Sequence, residues 1–146
     1  MRCGSSRAIV AALFVVVAAL AAGCGNRNKI VQVSGQVLID GEPLTHGFVQ
    51  VAPQGYRPAT ARIGSDGRFT LTTHNHDDGV VLGTHPVAVV ATETLGPGGQ
   101  RWHAPREYAA IETSGLTVTI NGPTNDLKIE LTWNGGKPFV EKFNPE

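Results

Sequence analysis

The sequence predicts an all-β domain, a sandwich of about seven short strands, behind an N-terminal signal segment. Three observations carry this expectation. Apolar and polar residues alternate over short stretches between residues 30 and 133. Clusters of Gly, Asp, Asn and Pro interrupt these stretches about every eight to twelve residues. No stretch after the signal shows the apolar spacing of a long amphipathic helix.

The first strand follows from Val31, Val33, Val37 and Ile39 on one side, with Gln32, Ser34 and Gln36 opposite. Gly35 breaks the row of side chains and marks a bulge or a close backbone approach. Asp40-Gly41-Glu42-Pro43 is a turn, because Asp-Gly favours tight hairpin geometry. Phe48 to Pro53 is the second strand, with Val49 and Val51 inward, and Ala59 to Ile63 the third. Gly64-Ser65-Asp66-Gly67 turns the chain into Arg68 to Thr73, where Phe69 and Leu71 point inward. After a polar stretch, residues 73–79, a strand runs from His85 to Thr94. Pro86 cannot donate to a ladder and places that strand at an edge or a bulge. Leu116, Val118 and Ile120 form the sixth strand, and Leu127, Ile129, Leu131 and Trp133 the seventh, joined by the turn-rich residues 121–126.

Ahead of the domain, Arg2 and Arg7 precede an uncharged apolar run, Ala8 to Ala22, that ends in Ala21-Ala22-Gly23-Cys24. A basic start, a short apolar core and small residues at its end read as a secretory signal. The run is 15 residues long, short of the roughly 20 that a helix needs to cross hydrocarbon. A cysteine directly after the small residues resembles the lipobox of bacterial lipoproteins, with Ala21 where leucine is commonest. The resemblance implies cleavage before Cys24, acylation of that cysteine (a palmitate-type anchor) and a lipid-anchored, extracytoplasmic protein of the cell envelope. Gly25, rather than aspartate, after the cysteine resembles the sorting pattern for the outer membrane. The expected organisation is a signal peptide at 1–23, a short lipidated linker at 24–29, the sandwich at 30–133 and a tail at 134–146.

Cleavage leaves 123 of the 146 residues, one domain able to bury its own core. Without Arg2 and Arg7, ten basic residues face twelve acidic ones, which gives no electrostatic reason to expect nucleic acid as a partner. Cys3 leaves with the signal and Cys24 carries the lipid, so no disulfide is expected.

The order Val33-Ser34-Gly35-Gln36-Val37, Asp40-Gly41-Glu42-Pro43-Leu44, Phe48-Val49-Gln50-Val51, Ser65-Asp66-Gly67-Arg68-Phe69-Thr70-Leu71 and Gly83-Thr84-His85-Pro86-Val87-Ala88-Val89 resembles the carboxypeptidase regulatory-like domain. Pro105-Arg106-Glu107-Tyr108 and Thr113-Ser114-Gly115-Leu116-Thr117 resemble a pattern of small bacterial lipoproteins of this type. The resemblance implies a transthyretin-like, Greek-key sandwich of seven strands serving as a non-catalytic accessory or binding module, with no cofactor. It carries a fold and not an activity.

Catalytic residues are not legible. The transthyretin-like class includes a hydroxyisourate hydrolase with a Tyr-Arg-Gly-Ser-type tail, but this chain ends Phe143-Asn144-Pro145-Glu146. Gly64-Ser65-Asp66-Gly67 is not a nucleophile elbow, because no helix follows it. His74, His76, Asp77 and Asp78 could supply nitrogen and oxygen ligands to a metal, against the plainer alternative of a solvated turn. Residues 95–115 form the longest stretch without strand periodicity, and Trp102, His103, Arg106 and Tyr108 in it form a candidate binding loop. The alternative is that its aromatic rings fold back as a lid on the sandwich. Lys29 and Asn134 flank the first and last strands, which raises the idea of an isopeptide bond. Neither lies inside a strand or between apolar neighbours, and the plainer reading is ordinary exposed polar residues. The tail offers Phe139, Val140 and Phe143 for an edge strand or a peptide arm, with a frayed terminus as the alternative.

These features lead to a lipid-anchored binding or scaffolding module whose partners are the membrane, through its lipid, and an envelope protein or glycan. A carbohydrate-binding module that stacks sugars on Trp102 is the alternative, and a metal-binding protein a third. A binding loop at Trp102–Tyr108 should lie on the end of the domain away from Cys24.

Overall fold

The computed structural model describes residues 28–144. The signal segment, Cys24 and the linker to residue 27 lie outside the described residues.

Within them the chain is β-rich. In order it forms β1 (Ile30–Val31), β2 (Val33–Ile39), β3 (Glu42–Pro43), β4 (Phe48–Val51), β5 (Ala59–Arg62), β6 (Arg68–Thr70), β7 (Val80–Val81), β8 (Gly83–Val90), β9 (Thr92–Thr94) and β10 (Gly99–Trp102). A 3₁₀ turn (Arg106–Ala109) and a single-turn helix α1 (Ile111–Ser114) follow, then β11 (Leu116–Ile120), β12 (Thr124–Leu131) and β13 (Phe139–Lys142). All seven expected strands are present, as β2, β4, β5, β6, β8, β11 and β12.

Two sheets face each other across one apolar core. In the first, β2 pairs in parallel with β12 on one side and antiparallel with β3 and β6 on the other. The second is antiparallel, in the order β11-β8-β4-β5. Val33, Val37, Phe69, Leu71, Ile129 and Leu131 from the first sheet share a single cluster with Val49, Val51, Val87, Val89, Val118 and Ile120 from the second. The alternation read from the sequence is therefore the inward face of each strand. A bridge between Thr60 and Thr72 ties β5 of the second sheet to the chain just after β6 of the first.

Local chemistry sets the joints. Asp40 and Gly41 both have positive φ, 48° and 84°, which fits the mirror-image two-residue turn of a tight hairpin between β2 and β3. Gly35 sits where β12 slips register between Thr124 and Leu127, and a Cβ there would run into the Leu127 carbonyl. Glycine lets the two backbones close.

Three expectations need correction. Pro86 lies in β8, an interior strand. It is tolerated because β4 ends at Val51: Pro86 accepts one bond from the Ala52 N–H, and β4 continues no further to ask for a proton in return. The strand expected from His85 to Thr94 breaks at Ala91, where the chain leaves the second sheet and continues as β9. Residues 95–115 are not a bare loop, since they hold β10, the 3₁₀ turn and α1.

The tail is an edge strand. β13 pairs with β10, and β10 with β9, in a third antiparallel sheet. This sheet lies at one end of the molecule. β8 starts beside Lys29, whose carbonyl accepts the Leu82 N–H, and ends beside β9. Its eight residues separate the two ends by about 25 Å.

Candidate functional site

The β9-β10-β13 sheet carries most of the chemistry that the two main sheets do not use. Its two faces follow from strand alternation. Register pairs Arg101 with Glu93 and Val140, and Trp102 with Thr92 and Phe139. Gln100, Trp102, Phe139 and Glu141 therefore share one face. Glu93, Arg101, His103 and Val140 share the other.

On the first face, Glu141 is a hub. Its carboxylate accepts from Gln100 Nε2 at 2.8 Å and Trp102 Nε1 at 3.0 Å, and pairs with Arg106 Nη2 at 2.6 Å. The Gln100 amide, then the Trp102 indole and the Arg106 charge, hold the Glu141 carboxyl below its ordinary value against the opposing effect of burial. The Arg106 guanidinium lies 5.3 Å from the Trp102 ring centre and 5.4 Å from that of Phe139. Phe139 stacks on Trp102 at 6.2 Å and meets Trp133 edge-on at 6.5 Å.

On the second face, His103 Nε2 lies 2.9 Å from Glu93 Oε2, and Arg101 Nη1 3.5 Å from the same oxygen. The His103 hydrogen bond, with the Arg101 charge and the nearby His103 and His46 rings, lowers the Glu93 carboxyl despite some desolvation. His46 stacks on His103 with ring centres 4.5 Å apart and planes 8° from parallel. Gly47 brings His46 there. It has φ 115°, and a Cβ on it would strike the Val90 carbonyl, so only glycine lets this loop lie against the β8–β9 joint.

The expected site residues scatter. Trp102 is half-buried, and as a platform for a sugar it offers only the surface that Arg106 and Phe139 leave free. His103 is on the opposite face. Arg106 is half-exposed and belongs to the Glu141 hub. Tyr108 is buried, and its hydroxyl meets the Thr132 N–H and carbonyl just after β12. The 3₁₀ turn that holds Tyr108 packs on β8, so this ring spans the two main sheets as a lid.

The ligating atoms of His74, His76, Asp77 and Asp78 form no group of three within 4.8 Å among the described residues. Asp78 instead organises its own loop by accepting the backbone N–H groups of Thr73, His74 and Asn75. Burial pushes the Asp78 carboxyl up, but these bonds and the nearby His74 together outweigh it and hold the carboxyl low. The His76 and Asp77 side chains pair with each other, His76 exposed to solvent and Asp77 half-exposed, while the Asp77 N–H donates to Thr72 Oγ1. Lys29 and Asn134 stand at opposite ends of the β2-β12 pair and form no isopeptide bond. Cys24 is outside the described residues. Among those residues no helix is long and apolar enough to cross a membrane.

Glu93 and Glu141 are the residues that sequence reasoning missed; it places Phe139 only in the tail and His46 only as a distant histidine. A signal for Glu93 existed. Gly96-Pro97-Gly98-Gly99 is a hairpin turn, and folding the chain about it sets residue 93 against residues 101 and 103. His46 and Glu141 approach through tertiary contacts that no spacing announces.

No protein-family model, curated protein or solved structure matches the chain.

Proposed function

We propose that the chain is a lipid-anchored, extracytoplasmic, non-catalytic module of the bacterial cell envelope, with a transthyretin-like sandwich held at the membrane through Cys24. In this reading the β9-β10-β13 sheet is the surface offered to a partner, an envelope protein. One observation carries it. Of six large apolar side chains exposed among the described residues, four (Leu95, Phe139, Val140 and Phe143) lie in or beside this sheet, at the end away from Lys29. β13 is also an edge strand with one side unpaired among the described residues, a template for strand addition.

Anchor and surface are separable in one experiment. Fractionation of cells making the natural chain or Cys24→Ser should find the first in membranes with covalent lipid. The second should lack the lipid. The double substitution Val140→Ser and Phe143→Ser should keep the lipid and lose co-purifying envelope protein. Unlipidated natural chain, or an unchanged partner set in the double variant, would count against the corresponding half of the proposal.

A further inference from the structure

We propose that His46, Glu93 and His103 form a transition-metal site of two imidazoles and one carboxylate, suited to zinc and its neighbours nickel and copper. It goes beyond the envelope-module reading: Glu93 lies in the sheet offered to a partner, but none of the exposed apolar residues that carry that reading is one of its ligands.

Among the described residues, this is the one group of His, Cys, Asp and Glu whose ligating atoms all lie within 4.8 Å of one another. Its composition suits borderline ions, which take imidazole nitrogen and carboxylate oxygen together. Three protein ligands leave a further position for water, as in open zinc sites.

The scaffold holds two of the three donors. Glu93 and His103 lie on one face of the β9-β10 hairpin, fixed by the Glu93–Arg101 register and by the bond from the His103 N–H to the Ala91 carbonyl. Their donor atoms are already 2.9 Å apart. Tetrahedral ligands 2.0–2.1 Å from zinc stand about 3.3 Å from each other, so this pair needs little adjustment. His46 supplies the third donor from an exposed loop. Its ring now lies nearly parallel to that of His103, and because an imidazole holds a metal in its own ring plane, His46 must turn out of this stack to ligate. Its Nδ1 lies 2.9 Å from Thr45 Oγ1, which leaves Nε2 free to ligate. Arg101 is the opposing group. Its guanidinium shares Glu93 Oε2 with His103 and repels a cation, so it weakens the site without filling it.

The test is titration of zinc chloride into the full chain without a polyhistidine tag, carrying Cys3→Ser and Cys24→Ser so that no thiol competes. One zinc per chain should bind. His46→Ala and Glu93→Gln should each weaken binding at least about tenfold, while His74→Ala with His76→Ala leaves it unchanged. Imidazole NMR resonances of the unsubstituted sites give a readout that does not depend on how any variant folds: zinc should move His46 and His103 and leave His74 and His76 in place. Absence of binding would overturn the proposal. So would binding that survives His46→Ala and Glu93→Gln, or shifts confined to His74 and His76.

Discussion

The two main sheets and the β9-β10-β13 sheet are held together in different ways. The first pair closes on aliphatic side chains, with Leu71, Val33, Val37, Val49 and Val51 fully buried. The third sheet has few such residues and relies on Glu141, Arg106, Trp102 and Phe139 at a half-exposed surface. Apolar burial is non-directional and grows with area, whereas exposed ion pairs and hydrogen bonds contribute little each. A rigid body thus carries an end that can open locally, and local opening is common where proteins meet partners.

The largest expected effect that sharpens this contrast is in the core. Leu71→Ala should cost about 3 kcal/mol and lower one cooperative denaturation transition. A core that absorbed it with less than about 1 kcal/mol lost would break the contrast. Gly35→Val should be comparably harmful, because both the β2 and β12 backbones would have to move.

Asp78→Ala comes next, at about 1–2 kcal/mol from three released backbone N–H groups. It also sets a pH signature. A carboxyl held low in the folded state adds stability above its unfolded value of about 4, and that stability is lost as pH falls through the lowered folded value. Asp78→Asn should therefore flatten the loss of stability below about pH 4. An unchanged acid limb would show that the loop is held by something else.

At the third sheet the effects should be local. Glu141→Gln should speed hydrogen exchange at the amides of β10 and β13 and shift tryptophan emission as Trp102 loses its partner. Exchange in β2 and β8 should not change. Faster exchange across the whole domain would mean that the two regions unfold as one. Smallest of all, Arg101→Gln should tighten zinc binding a few-fold by removing a nearby positive charge. Weaker binding would show that Arg101 supports the site.

The main sheets were legible because their code is local. Val31, Val33 and Val37 alternate, and Asp40-Gly41 declares its own turn, so neither depends on distant contacts. Pro86 misled because a missing N–H rules out only the position it would bond, and the end of β4 at Val51 leaves that position free. The far end was hard to read for the opposite reason. Phe139 and Glu141 gain a role only when the tail returns to β10, about forty residues away in sequence. Alternation is poor there, since β13 is half polar and exposed on both faces. Trp102 and Arg106 were singled out by residue type, yet their shared partner, Glu141, sits in a segment with no pattern of its own.

The claim that the β9-β10-β13 sheet faces a partner is tested most directly by photo-crosslinking in intact cells. A photoreactive residue placed at exposed Val140 should capture a discrete envelope protein, and the same residue at exposed Tyr56, beside Asn28 at the other end, should not. Capture from Tyr56 alone, or no capture from Val140 in the lipidated protein, would contradict the account.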